Sequence, residues 1–334
     1  MPGNILDYLE WRGDLPFTYN RFNAIDALIL STITYINYPN ADENVTSFRK
    51  GYEEWLKLPD DEKYRGLAVV KRRTEKLAGA ISESKRFKDV RITAYVEHSG
   101  IEIEKQFSAM SFLFPDGNVF IAFRGTDHTL VGWKEDFNMA VIDGTPSQLE
   151  ATEYVTMIAN RFPDARIALG GHSKGGNLAI WAASHLPEDI KKRLVRVYCF
   201  DSPGLSRRVV ESEGYQSVRD RTFTFVPEAS IVGIIMYNPP QLVVSSDAEG
   251  FMQHDPFSWQ VSRRSFVYLT ERSAISRHLE KRLDKTVQEL DHDEYIRLVN
   301  RVYDDLRETA DVEKSVRHFL HKAEGITARL RRKR

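Results

Sequence analysis

The sequence predicts an α/β protein: a mostly parallel central sheet with helices on both faces, and helical flanks at both ends. Three observations carry this. Between about residues 89 and 246, short β-rich runs alternate with helical patterns, as βαβ units require. Residues 1 to about 85, and those beyond about 271, show apolar positions at helical spacing instead. One predicted strand-to-helix junction carries Gly171-His172-Ser173-Lys174-Gly175, a glycine-flanked serine turn.

Composition narrows the class further. The 334 residues are 42% hydrophobic and 28% charged, which is globular rather than disordered. The formal charge is −1, so no global polycation drives nucleic-acid binding. A single cysteine, Cys199, excludes an intramolecular disulfide framework and a Cys-rich zinc site. The first residues lack a secretory pattern, and the longest apolar runs, such as 231–236, fall far short of the ~20 residues of a spanning helix. A cytoplasmic protein without a transmembrane segment is the expectation. Length alone suggests about two domains. No linker or repeat separates the parts, so one structural domain is expected: a helical flank over 1–85, an α/β core over 86–270 and a helical extension over 271–334.

In chain order, Asn23 to Tyr35, Tyr52 to Leu56 and Gly66 to Ile81 read as helices. Arg91 to Val96 and Gln106 to Phe114 read as strands. The Pro115-Asp116-Gly117 turn should join the second to Val119–Phe123 as a hairpin. Helices are expected near 129–141 and 147–161, then a strand at 166–169, a helix from about Lys174, and strands at 195–200, 222–226 and 241–244. Ser273 to Val302 and Asp311 to Leu330 read as helices before the basic end, Arg329 to Arg334.

The serine turn carries the chemistry. A serine between strand and helix is held in a strained conformation, and glycines two residues either side let the two elements approach. The hydroxyl of Ser173 is thereby lifted above the strand's C-terminal edge, beside a helix N-terminus that suits an oxyanion. Phosphate-loop and dinucleotide spacings are absent. Ser173 is the expected nucleophile. Its base should follow the last strands, and His254 is the one histidine in that window; His172 is expected to face elsewhere on the tight turn. The acid is Asp201, at the end of Val195–Phe200, with Glu228, in Val226-Pro-Glu-Ala-Ser, as the alternative. The oxyanion donors are Thr126, after Arg124-Gly125, and the N–H of Lys174. The Lys174 amine either meets an anionic substrate group, pairs with a carboxylate such as Asp201, or is structural.

Together Ala122-Phe-Arg-Gly-Thr, Gly132-Trp-Lys-Glu-Asp-Phe, Gly-His-Ser-Lys-Gly-Gly and the late His254 resemble the lipase class 3 branch of the α/β-hydrolases. The resemblance implies an α/β-hydrolase fold. It also implies that Thr126 belongs to the oxyanion hole and that Arg124 pairs with Asp136 to pin that turn. The chain is more similar still to a bacterial branch of unknown function, at Trp11-Arg-Gly-Asp, Phe200-Asp-x-Pro-Gly and Gln253-His-Asp-Pro-Phe-Ser-Trp. In that branch the Glu228 position is expected to be Gln in many members, which favours Asp201.

The function expected is a serine carboxylic-ester hydrolase acting on a lipid or small acyl ester through an acyl-enzyme. No cofactor or metal is expected. Phe251, Met252, 231–236 and 257–259 could line an acyl groove or belong to the core. The alternative is a catalytically silent hydrolase-fold scaffold that binds a protein or membrane partner.

Overall fold

The computed structural model describes residues 2–38, 41, 45–63, 68–100, 105–126, 139 and 144–289. The expected helix near 129–141, Asp136 and His128 lie outside the described residues, as do the C-terminal helices beyond 289 and the basic end.

Four helices precede the main sheet residues: α1 (Ile5–Arg12), α2 (Ala24–Ile33), α3 (Phe48–Leu56) and, after a short helical turn Asp60–Lys63, α4 (Ala68–Glu83). Local signals start the first two. The Asn4 and Asn23 side chains cap the opening N–H groups, while Asp7 and Asp26 bond back to the cap backbone. One short departure interrupts this helical flank: β1 (Thr46–Ser47) pairs with β2 (Arg91–Gly100) at the sheet edge.

The remaining strands are β3 (Lys105–Leu113), β4 (Val119–Phe123), β5 (Ile167–His172), β6 (Leu194–Phe200), β7 (Thr222–Pro227), β8 (Gln241–Val244), β9 (Val261–Ser262), β10 (Ser265–Phe266) and β11 (Tyr268–Leu269). Among the described residues they form a nine-stranded sheet in the order β1-β2-β3-β4-β5-β6-β7-β8-β11, with β9 and β10 as a separate hairpin. Strands β4 to β8 run parallel and form its centre; the antiparallel pairings lie at the two edges. The β3–β4 hairpin closes at the expected Pro-Asp-Gly turn.

The sequential order decides where the helices go. Right-handed crossovers between neighbours that all advance in one direction place their helices on one face. Helices α5 (Pro146–Arg161) and α6 (Lys174–His185) accordingly share a core with Val119, Ile121, Leu169 and Val197. The alternate residues Phe120, Ala168, Tyr198 and Phe200 point to the opposite face. There the N-terminal flank covers them, through Tyr8, Leu28, Ile29, Phe48 and Ile81, with Trp259 and Phe266 completing the layer. The flank is thus the second helical layer of the sheet. A buried ion pair fastens it: Arg86 donates to both carboxylate oxygens of Asp26 at 2.7 and 2.5 Å, and neither side chain is exposed. Beyond the sheet, α7 (Ala274–Glu289) begins the C-terminal extension. No helix among the described residues is long and apolar enough to cross a membrane.

Candidate active site

The site is assembled at the C-terminal ends of adjacent parallel strands. Register pairs Phe123 with Gly171, His172 with Phe200, and Phe200 with Phe225. The residues that follow therefore leave the sheet side by side: Arg124-Gly125-Thr126 after β4, Ser173 after β5, Asp201 after β6 and the 228–230 turn after β7.

Ser173 stands at φ 58° and ψ −133°, outside the regions an L-residue prefers. Close packing makes this turn possible. A Cβ on Gly171 would lie 2.2 Å from the Gly175 carbonyl carbon, and one on Gly175 would lie 2.1 Å from the Phe123 carbonyl oxygen. Both glycines are therefore obligatory where strand, turn and helix cross. The serine side chain does not cap α6, and the residue is half-buried. Asn177, one turn into the helix, donates to the Gly204 carbonyl and accepts from Gln148, which ties α6 to α5 and to the loop after β6.

The turn after β4 lies directly against the elbow. A Cβ on Gly125 would stand 2.7 Å from the His172 carbonyl oxygen and 3.1 Å from Ser173 Cβ. Thr126 follows at half-buried exposure. The Arg124 N–H donates to the Ser108 carbonyl, and its guanidinium meets Glu97 of β2 at 2.9 Å. Asp136, the partner implied by resemblance, lies outside the described residues; Glu97 is a partner that sequence reasoning missed.

Asp201 and His254 are brought together. His254 Nδ1 lies 2.6 Å from Asp201 Oδ2. A carboxylate only accepts, so Nδ1 carries the proton and Nε2 is the basic nitrogen of the neutral ring. Asp201 is buried, at φ 41°. Its other oxygen accepts from the Ser230 hydroxyl at 2.5 Å and from the Gly233 N–H at 3.2 Å. The 226–230 turn thus supplies a serine that holds the acid. Glu228 is half-buried, accepts from the Ser273 N–H through its backbone carbonyl, and makes no side-chain hydrogen bond among the described residues.

The loop carrying His254 is tightly held. Gln253 accepts from the Ala229 N–H and donates to the Ala248 carbonyl, while the Trp259 indole donates to the Gln253 carbonyl at 2.8 Å. Asp255 pairs with Arg73 of α4 at 2.7 Å. Burial raises the Asp255 carboxyl above its ordinary value, with the Phe257 N–H and Arg73 pulling the other way. Phe251 stacks near the His254 ring at 5.6 Å. Of the other groove candidates, Ile234, Phe257 and Trp259 are core, whereas Met252 is 59% exposed.

One expectation is corrected. His172 does not face away: its Nε2 lies 2.8 Å from the His254 carbonyl oxygen and its ring centroid 4.5 Å from that of His254. The short turn rotates the side chain preceding the serine towards the His254 loop. Of the readings open for the Lys174 amine, the structural one fits its surroundings: it is buried and donates to the Gln106 carbonyl of β3 at 2.7 Å. Its cost at a helix N-terminus is offset by a charge-assisted bond to backbone. Tyr35, which follows α2, also escaped sequence reasoning. Its hydroxyl lies 3.4 Å from His172 Nδ1 and 2.2 Å from where a Gly125 Cβ would stand. An isolated tyrosine in a helical flank carries no signal for this; its place follows from α2 packing on β5.

The parallel strands, the serine elbow and the late histidine loop define an α/β-hydrolase fold of the lipase class 3-like kind. Within it, the chain belongs to the Mbeg1-like family, whose model matches residues 81–304. No curated protein matches the sequence. Solved structures to which the chain is similar include a fungal lipase in complex with an inhibitor, at 16% identity and TM-score 0.41, covering 74% of this chain and 81% of that one. Lip2 lipase from Yarrowia lipolytica is similar at 14% identity and TM-score 0.38, covering 80% and 87%. The lipase from Rhizopus microsporus var. chinensis is similar at 14% and 0.37, covering 72% and 88%.

Proposed function

We propose that this protein is a serine hydrolase that cleaves a carboxylic ester through an acyl-enzyme. The observation that carries the reading is the 2.6 Å Asp201–His254 hydrogen bond, on the strand end next to the strained Ser173 elbow. In this reading Asp201 fixes the imidazole tautomer, and His254 Nε2 takes the Ser173 proton as Oγ attacks the ester carbonyl. The backbone N–H groups of Thr126 and Lys174 receive the oxyanion. Collapse expels the alcohol, protonated by His254. Water, deprotonated by the same imidazole, then releases the acid and restores Ser173.

The fold of the family and the apolar side chains beside His254, Phe251 and Met252, favour a lipid or small acyl ester. The decisive experiment is labelling with a fluorophosphonate probe alongside turnover of an ester, thioester and amide panel, with Ser173→Ala as control. Labelling and ester turnover should both vanish in the variant. Labelling that persists in Ser173→Ala overturns the nucleophile. An inert wild-type protein with an intact fold would favour a scaffold.

A further inference from the structure

A second concave site lies between α1 and the β9–β10 hairpin. It is a cavity of about 630 Å³ bounded by Pro2, Trp11, Arg12, Ser262 and Arg263. None of these residues belongs to the Ser173–Asp201–His254 cluster. We propose that this cavity binds the phosphate group of a phosphoester.

Three features point there. First, the cations are unanswered. Arg12 and Arg263 line the cavity, and neither side chain makes a hydrogen bond or ion pair among the described residues; among those residues no carboxylate lines it. A carboxylate offers two oxygens, which one guanidinium fork can occupy. Two forks on one cavity suit the greater charge and additional oxygens of phosphate. The Ser262 hydroxyl offers a further donor.

Second, the Trp11 indole is 41% exposed, whereas Trp55, Trp181 and Trp259 are all buried. An indole on a cavity wall beside guanidinium groups can cover the organic part of an ester whose phosphate the arginines hold.

Third, Arg263 is held at φ 58° in the two-residue turn between β9 and β10, since Ser262 pairs with Ser265. Glycine is the residue favoured there. The Arg263 side chain is exposed on this turn and has no hydrogen-bond or ion-pair partner among the described residues to account for that conformation. It does put a cation on the rim facing Trp11 and Arg12. The turn is also anchored: Gly3 and Val261 exchange both backbone hydrogen bonds, joining the segment before α1 to β9. Both walls are thereby fixed relative to each other.

The phosphate could be carried by a soluble phosphoester or by an anionic lipid headgroup. Calorimetry with glycerol 3-phosphate tests the first. Co-sedimentation with phosphatidylcholine vesicles, with and without phosphatidylglycerol, tests the second. Binding to glycerol 3-phosphate, or to the phosphatidylglycerol vesicles alone, is expected and names the source. Arg263→Gly is the informative variant, because it removes the cation while relieving the backbone. Its melting temperature should not fall, and its affinity should drop about tenfold or more, as should that of Arg12→Gln. Equal affinity in both variants and wild type overturns the proposal, as does failure of both probes to bind at low salt. Ser173→Ala should bind as wild type does, so the result stands apart from the hydrolase reading.

Discussion

The ring of His172 supports the loop of His254: His172 Nε2–H donates to the His254 carbonyl at 2.8 Å. A carbonyl only accepts, so Nε2 bears the proton, and in the neutral ring Nδ1 is left to accept from the Tyr35 hydroxyl at 3.4 Å. Burial, with His254 next to it, lowers the His172 pKa well below the ordinary 6.5. The ring is therefore neutral in the folded protein. Unfolded chains take up a proton as pH falls through 6.5, so this group's stabilisation is complete above that value and is lost below it, towards the folded pKa.

Replacing His172 with Gln should remove that pH dependence. The expected loss is about 1–3 kcal/mol at pH 7.5, from a buried group losing its partner. The difference from wild type should shrink as pH falls below 6.5. Melting temperatures of both proteins across this range check it. Equal slopes would mean that His172 does not titrate between the folded and unfolded states. Turnover should fall with little change in KM, because the residue positions the base without touching substrate.

Asp201 and Glu228 make opposite predictions. Asp201→Asn should lower ester turnover by about 10⁴-fold, by offering the imidazole the wrong partner for its tautomer. Glu228→Gln should leave turnover near wild type. Ser230→Ala should fall between them, since it removes one of two donors to Asp201 Oδ1. Ester kinetics on the three variants rank them; a larger loss in Glu228→Gln than in Asp201→Asn would reverse the assignment.

Gly125→Ala should abolish turnover while circular dichroism remains that of the folded protein. The added methyl meets the Tyr35 hydroxyl, which can swing away, but also the His172 carbonyl oxygen at 2.7 Å, which is backbone and cannot. The turn must shift, and the N–H of Thr126 shifts with it. Full activity in this variant would remove the turn from the oxyanion site.

Asp26→Ala should destabilise the fold by about 3–5 kcal/mol, because Arg86 would be left as an uncompensated buried charge. Replacing both residues with apolar ones of similar volume should cost much less. Chemical denaturation of the single and double variants gives the comparison. Equal losses would show that the side chains matter only through packing.

Much of the fold was legible because its signals are local. Gly171, Ser173 and Gly175 mark the elbow within five residues, since the steric demand of a strand-to-helix turn acts on immediate neighbours. The β3–β4 hairpin was readable from Pro115-Asp116-Gly117, and His254 from its position after the last parallel strand. The edge strand Thr46–Ser47 was not, because two residues carry no period and the pairing with β2 comes from afar.

Within the site, sequence alone determined which chemical groups were available: a serine elbow, two candidate acids and a late histidine. Tertiary structure decided how they meet. Asp201 rather than Glu228 bonds to His254, while the turn bearing Glu228 contributes Ser230 instead. His172 turns inward to His254, Lys174 ends on Gln106, and Tyr35 arrives from the N-terminal flank. The reason is physical. A backbone turn is a matter of steric contact over a few bonds. Hydrogen-bond partners 53 and 137 residues apart are set by strand register and by which face each helix covers.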